Sequence, residues 1–350
     1  MDHENKEQPM NDLVLYYPTG HSAHFESGHP ERPERIETIR QALGDAGWWE
    51  YCPRLEPQTV SEQVLTAIHE PGYLKDLEAA CALGRRMDMD TYTTTASWQL
   101  ALSAAGGGVS VASAVWRRDA RRGFALTRPP GHHATRNRAM GFCLLNNIAL
   151  AAEHLLQNEG AERVAIVDLD LHHGNGTQDI FWKRGDVFYI STHQSPHYPG
   201  TGMLRETGAG PGKGTTANFP MPPMSGDEAF RAVMEDGILP LLDRYQPEMI
   251  LVSYGFDPHW RDPLGNLLLS AEVYGELIGL LADWADGACQ GRIALFLEGG
   301  YDLEAATACT QAVIAALLGE DFEDPLGPSP YSEMVAWQDM LRMARQLWDL

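Results

Sequence analysis

Short runs of Val, Ile, Leu and Phe recur along the chain, several of them without polar alternation. They predict strands at Leu13–Tyr16, Phe124–Thr127, Val164–Asp168, Val187–Ser191, Met249–Ser253 and Ile293–Leu297. A strand that is apolar on both faces belongs in a sheet covered on both sides. Longer amphipathic stretches between the runs predict helices near 32–44, 72–84, 96–117, 142–158, 227–244, 271–288 and 303–318. A last helix is predicted near 331–348. Strand and helix in alternation predict an α/β fold, with a mainly parallel sheet and helices on both faces.

Four polar clusters each follow a different predicted strand. They are Arg128-Pro-Pro-Gly-His132-His133, Asp170-Leu-His172, Ser253-Tyr-Gly-Phe-Asp257-Pro and Glu298-Gly-Gly-Tyr301-Asp. In open α/β sheets the ligand site lies beyond the carboxyl ends of the strands, so the clusters converge on one mouth. Side chains two apart on an extended chain point the same way, which puts Asp168, Asp170 and His172 on one face. Asp170, His172 and Asp257 together offer the three ligands of an open zinc site. Asp168, two residues behind, is placed to orient a neighbour. Taken alone, Asp257 in Gly-Phe-Asp-Pro reads as a turn or helix-start residue, and only the adjacent run makes it a ligand.

His132 and His133 sit on a turn stiffened by two prolines and a glycine, and an imidazole there can serve as general base and then acid. Asp168 can fix the tautomer of one and Asn175 that of the other. The alternative is that a tandem His in a loop is polar surface. Tyr301 can donate its phenolic hydrogen bond to a developing oxyanion, or it anchors a Gly-Gly helix start. Phe142 and the His197-Tyr198-Pro199-Gly200 loop can wall an apolar slot, or they simply pack the core. His21, His24, His29, His69, His154, His193 and His259 are assigned to structure or solvent.

Of the 350 residues, 44% are hydrophobic, enough for a sizeable core, and no linker, repeat or low-complexity tract divides the chain. One catalytic domain over 13–350 is expected, behind a polar tail, 1–12, expected to be disordered. Lys and Arg number 26 against 48 Asp and Glu, a formal charge of −22. That argues against a nucleic-acid surface and suits cationic substrates such as lysine peptides or polyamines, or it reflects solubility alone. Five cysteines form no Cys-x-x-Cys pair, so a reduced, cytoplasmic setting is the expectation. The N-terminus lacks a signal peptide's apolar core, and no run is long enough to span a membrane.

The motifs RPPGHHA, GFCLLNN, VDLDLHHGNGTQ, YPGTG, GFDPHWRDPLG and LEGGYD, in this order, resemble those of the zinc-dependent histone deacetylase and acetylpolyamine amidohydrolase family. The resemblance spans roughly residues 13–320, and Asn175 and Leu264 resemble the class II branch and its bacterial relatives. It implies a three-layer α/β/α arginase–deacetylase fold. It implies zinc on Asp170, His172 and Asp257, with His132 an electrostatic partner held by Asp168. His133 is then the general base and later the acid, and Tyr301 hydrogen-bonds the acyl oxygen. Gly141 offers its carbonyl to the substrate amide, Phe142, Tyr198 and Leu264 line the acyl-lysine tunnel, and Asp90 grips the substrate backbone at the rim. Structural potassium is implied near Asp168, Asp170, His172, Ser191 and Thr192, with a second ion near Phe181, Arg184 and Val187.

Two departures matter. Asn175 stands where class I members have Asp, and a neutral amide raises the His133 pKa less than a carboxylate. Leu264 stands where polyamine-selective relatives carry an acidic gatekeeper. The implied reaction is hydrolysis of an N-acyl amide, ε-N-acetyl-lysine first, to free amine and acetate. The alternatives are an acetylpolyamine or small-molecule deacetylase, a binuclear manganese ureohydrolase and a silent acyl-lysine binding module. Pro258-His259 after Asp257 supplies no second-metal carboxylate, which counts against the ureohydrolase. Oligomeric state stays open.

Overall fold

The computed structural model describes residues 10–350. Among them, seven strands form one sheet: β1 (Asn11–Tyr16), β2 (Ala120–Ala125), β3 (Val164–Asp168), β4 (Val187–Gln194), β5 (Thr216–Met221), β6 (Met249–Tyr254) and β7 (Ile293–Leu297). Their order is β1-β2-β7-β6-β3-β4-β5. Every neighbouring pair is parallel, so the sheet is more uniform than the mainly parallel one expected.

Alternate residues along β3, β4, β6 and β7 enter two different cores. Ala165 and Val167 of β3 face one, with Ile250, Val252, Leu295 and the helices Glu34–Asp45, Ala271–Ala288 and Leu303–Leu318. Val164 and Ile166 face the other, with Leu251, Phe296 and the helices Glu62–Ile68, Pro71–Ala82, Ser97–Trp116 and Asn147–His154. This is why the strands read as unbroken apolar runs. Each Val, Leu, Ile or Phe buried this way contributes about 1.5–3 kcal/mol relative to exposure.

Helix Ser97–Trp116 carries Gly106, Gly107 and Gly108 in its interior, each costing about 1 kcal/mol against Ala. A Cβ on Gly107 would stand 2.3 Å from the Tyr16 ring, and one on Gly108 2.4 Å from Phe296. The glycines let this helix lie flush on β1 and β7.

Several elements differ from expectation for local reasons. β5 escapes hydrophobic patterning because Thr216-Ala-Asn-Phe-Pro-Met contains Pro220, tolerated here at the sheet edge. The helices Trp48–Tyr51, Glu62–Ile68 and Asn175–Phe181 are too short to show a period. The helix expected from 142 starts at Asn147, because the Asn146 side chain caps it by accepting the Ala149 N–H at 3.1 Å. Residues 142–146 are thereby left as loop. The last helix begins at Trp337 rather than 331. β1 takes in Asn11 and Asp12, the end of the expected tail, whose residues 1–9 lie outside the described residues. No helix among the described residues is long and apolar enough to cross a membrane.

Candidate active site

Beyond Asp168 the chain leaves the strand and bends through Asp170–His172, held by the Leu169 N–H to Ser253 O (2.9 Å) and the Gln194 N–H to Leu171 O (2.8 Å). Leu169 and Leu171 enter the core. Asp170 and His172, on the opposite side, line a cavity of about 250 Å³. His132 and His133 from the turn after β2, and Tyr301 from the turn after β7, line the same cavity. So do Asp90, Gly141, Phe142, Tyr198 and Leu264. A larger, more open cleft of about 660 Å³, lined by Arg138, Asn175 and Trp182 among others, contains none of these groups.

One ligand atom each from Asp170, His172 and Asp257 lies within 4.8 Å of the others. His172 Nδ1 stands 3.2 Å from Asp170 Oδ1 and 3.1 Å from Asp257 Oδ2. The latter approach lacks hydrogen-bond alignment, so Asp257 Oδ2 is a buried carboxylate oxygen without a donor. Its Oδ1 accepts the Leu171 N–H at 3.1 Å, and Asp170 Oδ2 accepts the Gly299 N–H at 2.9 Å. Burial opposes protonation of His172, but Asp170 and Asp257 outweigh it and hold its pKa up at about 9. Burial and the Asp170 charge push Asp257 up. Two buried carboxylates thus draw a positive charge to the spot, and a divalent ion with a neutral imidazole meets the same demand. The donor set fits such an ion.

His132 Nδ1 donates to Asp168 Oδ2 at 3.1 Å, and the Tyr189 hydroxyl donates to the same oxygen at 3.0 Å. Burial would depress this imidazole, yet Asp168, Asp170 and Glu298 hold its pKa up at about 10. His133 is the opposite case. Burial, then the neighbouring His132 and His172 charges, push it well below the ordinary histidine value. Its Nδ1 faces Asn175 Oδ1 at 2.8 Å, while the Asn175 amide nitrogen points to Met140 Sδ at 3.4 Å. The oxygen can only accept, so Nδ1 carries the proton and Nε2 keeps its lone pair.

Gly141 and Phe142 both have left-handed backbone, at φ +54 and +68. For Phe142 that costs about 1–2 kcal/mol. A Cβ on Gly141 would stand 2.3 Å from the His133 ring, so only glycine fits. The Phe142 N–H is held by Thr91 Oγ1 at 3.2 Å, and its ring meets Tyr301 edge-on at 5.7 Å between centroids. Tyr198 packs edge-on against His133 at 5.2 Å, and His197 stacks on His172 at 5.1 Å. The Asp90 carbonyl accepts from His29 Nε2 at 2.9 Å, and the His29 ring also packs on Phe142. His29 is therefore structural but supports the rim. At the implied potassium positions, Thr192 Oγ1 lies 3.5 Å from Asp168 O, and Ser191 pairs with His193 Nδ1 at 2.9 Å. The Phe181 carbonyl accepts the Arg184 N–H at 2.9 Å, and Val187 opens β4.

Sequence reasoning missed several residues that hold this site. Arg35, fully buried, donates to Gly300 O and Glu298 O, both at 2.6 Å, and its guanidinium lies 4.8 Å from the Tyr301 ring centroid. Glu31 accepts from Arg35 at 3.3 Å and from Arg128 at 2.7 Å. Glu298 accepts the Gly131 and His132 N–H groups at 2.7 and 3.1 Å, fixing the turn that bears both histidines. Asp262, inside the quoted GFDPHWRDPLG motif, accepts the Tyr301 N–H at 2.6 Å. That motif was the available signal for Asp262. For Arg35 and Glu31 there was only their charge.

The sequence matches the histone deacetylase domain over residues 29–317. It is 40% identical to a probable deacetylase of Archaeoglobus fulgidus, covering 89% of this chain and 87% of that protein. It is 38% identical to histone deacetylase 14, chloroplastic, of Arabidopsis thaliana, covering 90% and 79%. Against the histone deacetylase-like amidohydrolase of Pseudomonas aeruginosa it is 34% identical, covering 86% and 80%. The crystal structure of the HDA15 HD domain superposes with a TM-score of 0.87 at 33% identity, covering 96% of this chain and 94% of that one. The all-parallel sheet and its flanking helices are thus those of the α/β arginase–deacetylase fold, and the chain belongs to the histone deacetylase family.

Proposed function

We propose that the protein is a zinc-dependent amidohydrolase that removes acetyl or other acyl groups from lysine side chains, releasing the acid and the free amine. The observation that carries this reading is the meeting of Asp170, His172, His133 and Tyr301 at one cavity, with Asp257 grouped beside the first two.

A zinc ion held by those three residues would polarise the amide carbonyl and lower the pKa of a water toward about 7. His133 takes the proton of the attacking water at Nε2, since Nδ1–H is committed to Asn175. Asp168 and the protonated His132 present a fixed charge pair beside it. Burial pushes the Tyr301 phenol well above its ordinary pKa, so it stays a donor and can stabilise the oxyanion. His133 then gives its proton to the departing amine. Phe142 and Tyr198 flank the aliphatic stem, the Gly141 carbonyl accepts from the substrate amide, and the Asp90 carboxylate at the mouth takes the peptide backbone. Potassium at the backbone sites around Asp168 and Phe181 would be structural.

Leu264 at the rim offers no countercharge to a polyammonium chain, so acyl-lysine is preferred to acetylated polyamines. The test is kcat/KM of zinc-loaded protein for acyl-lysine peptides and for acetylspermidine. Acetate release from the peptides at the higher kcat/KM is expected. A preference for acetylspermidine would overturn the substrate assignment, and binding without acetate release from any of them would overturn the enzyme. Tyr301→Phe should lower kcat by about 10²–10³, and near-normal turnover in that variant would remove Tyr301 from the chemistry.

A further inference from the structure

The turn Glu298–Asp302 is held from two sides. Its carbonyls at Glu298 and Gly300 accept from Arg35. Its N–H groups at Tyr301 and Asp302 donate to one oxygen of Asp262, at 2.6 and 3.1 Å. The other oxygen of Asp262 accepts the Leu264 N–H at 3.0 Å. The Leu264 carbonyl in turn accepts from His197 Nε2 at 2.9 Å, and the His197 ring stacks on His172. Asp262 is only 6% exposed. Its carboxylate therefore spends its acceptor capacity on three main-chain donors, two beneath Tyr301 and one at the rim.

We infer that Asp262 is a positioning residue that sets the Tyr301 phenol and the Leu264 rim as one unit, so that acyl-oxygen stabilisation and substrate entry are aligned together. The inference rests on the acyl-oxygen role proposed for Tyr301. A carboxylate suits the task because both of its oxygens accept. An asparagine offers one accepting oxygen and turns N–H against whichever donors remain. Its oxygen settles where two donors wait, at Tyr301 and Asp302, and the contact with Leu264 is the one lost. An alanine loses all three. Misplacement of a reacting group by about 1 Å can cost about 10²-fold in rate.

The experiment is a double-mutant cycle on zinc-loaded protein, with kcat and KM measured on an acetyl-lysine peptide. Asp262→Ala should lower kcat about 10–100-fold in the wild-type background. In a Tyr301→Phe background the same change should cost about threefold or less, because the hydroxyl it places is already gone. Asp262→Asn should lower kcat less than alanine does and raise KM. A simple loss of folded protein would instead reduce both backgrounds alike. Equal kcat penalties in the two backgrounds, or wild-type kcat in Asp262→Ala, overturn the inference. Where Asp262→Ala does not fold, Asp262→Asn is the test, read in KM because it keeps the contacts beneath Tyr301 and loses the one at Leu264: a raised KM is expected, and an unchanged KM overturns the inference. If Tyr301→Phe by itself turns over normally, the tyrosine role falls first and the inference falls with it. That outcome is distinct from equal penalties, which sink Asp262 alone.

Discussion

Gly299→Ala should abolish tight metal binding while leaving the chain folded. A Cβ at this position would stand 2.3 Å from Asp257 Oδ2, 2.7 Å from its Cγ and 2.8 Å from Asp170 Oδ2. Ordinary contacts begin near 3.4 Å, so the Asp257 carboxylate must retreat by about 1 Å. It has nowhere to go, being fully buried and tied to the Leu171 N–H. Metal–ligand distances tolerate only about ±0.2 Å. A shift several times that size should weaken zinc at least as much as loss of an outer-sphere partner, about 10–100-fold. The measurement is zinc affinity by competition with a chromogenic chelator, alongside thermal unfolding of the metal-free protein. Gly287→Ala is the control, since a Cβ there meets nothing within 4 Å. Wild-type zinc affinity in Gly299→Ala would refute the placement of the ion between these two carboxylates.

Three further outcomes are expected. Asn175→Asp puts a carboxylate on His133 Nδ1, which raises the imidazole pKa. The base works only when neutral, so the acid limb of the kcat/KM profile should move to higher pH, and an unmoved limb would detach Asn175 from the base. Glu31 is buried, which opposes its charge, but Arg128, His24 and Arg35 outweigh burial and bring its pKa from 4.5 down to about 2. Its contribution is therefore complete above pH 4.5 and lost as pH falls toward 2, about 3 kcal/mol in all. Urea unfolding of wild type and Glu31→Gln should show a stability gap that narrows over that interval, and a constant gap would refute the sign. Arg35→Met leaves Glu31 short of a partner and two carbonyls bare, and should destabilise by about 3–5 kcal/mol in urea or heat. An unchanged midpoint would show that Arg35 is not structural.

The groups that gather at the cavity were legible because each follows a strand and carries its own turn signal. Alternation puts Asp170 and His172 on one side, and both do line the cavity although the chain bends there rather than continuing the strand; glycine and proline mark the turns at His132 and Tyr301. The supports were not legible. Arg35 reaches the Gly300 carbonyl across 265 positions of sequence, and a buried side-chain to main-chain hydrogen bond of that span leaves no period to read. Glu298 and Asp262 look like ordinary acidic residues until their oxygens are seen to collect main-chain N–H groups. β5 was hidden by Pro220, and the short helix from Asn175 by its own glycine. The loop stretch 142–146 before Asn147 illustrates the general difficulty. Its apolar letters suit a helix, and the tertiary demand that Phe142 face the cavity prevails over local propensity.

The position of β3 between β6 and β4 has a bearing on endurance. Its five residues are all buried, and amides in such a strand are released to solvent only when the whole domain opens. Asp170 and His172, proposed to hold the zinc, hang from the end of that strand, so partial fraying at the periphery leaves them in register. Inactivation by heat or denaturant should accordingly track global opening, and deuterium uptake at Val164–Asp168 should be among the slowest in the chain.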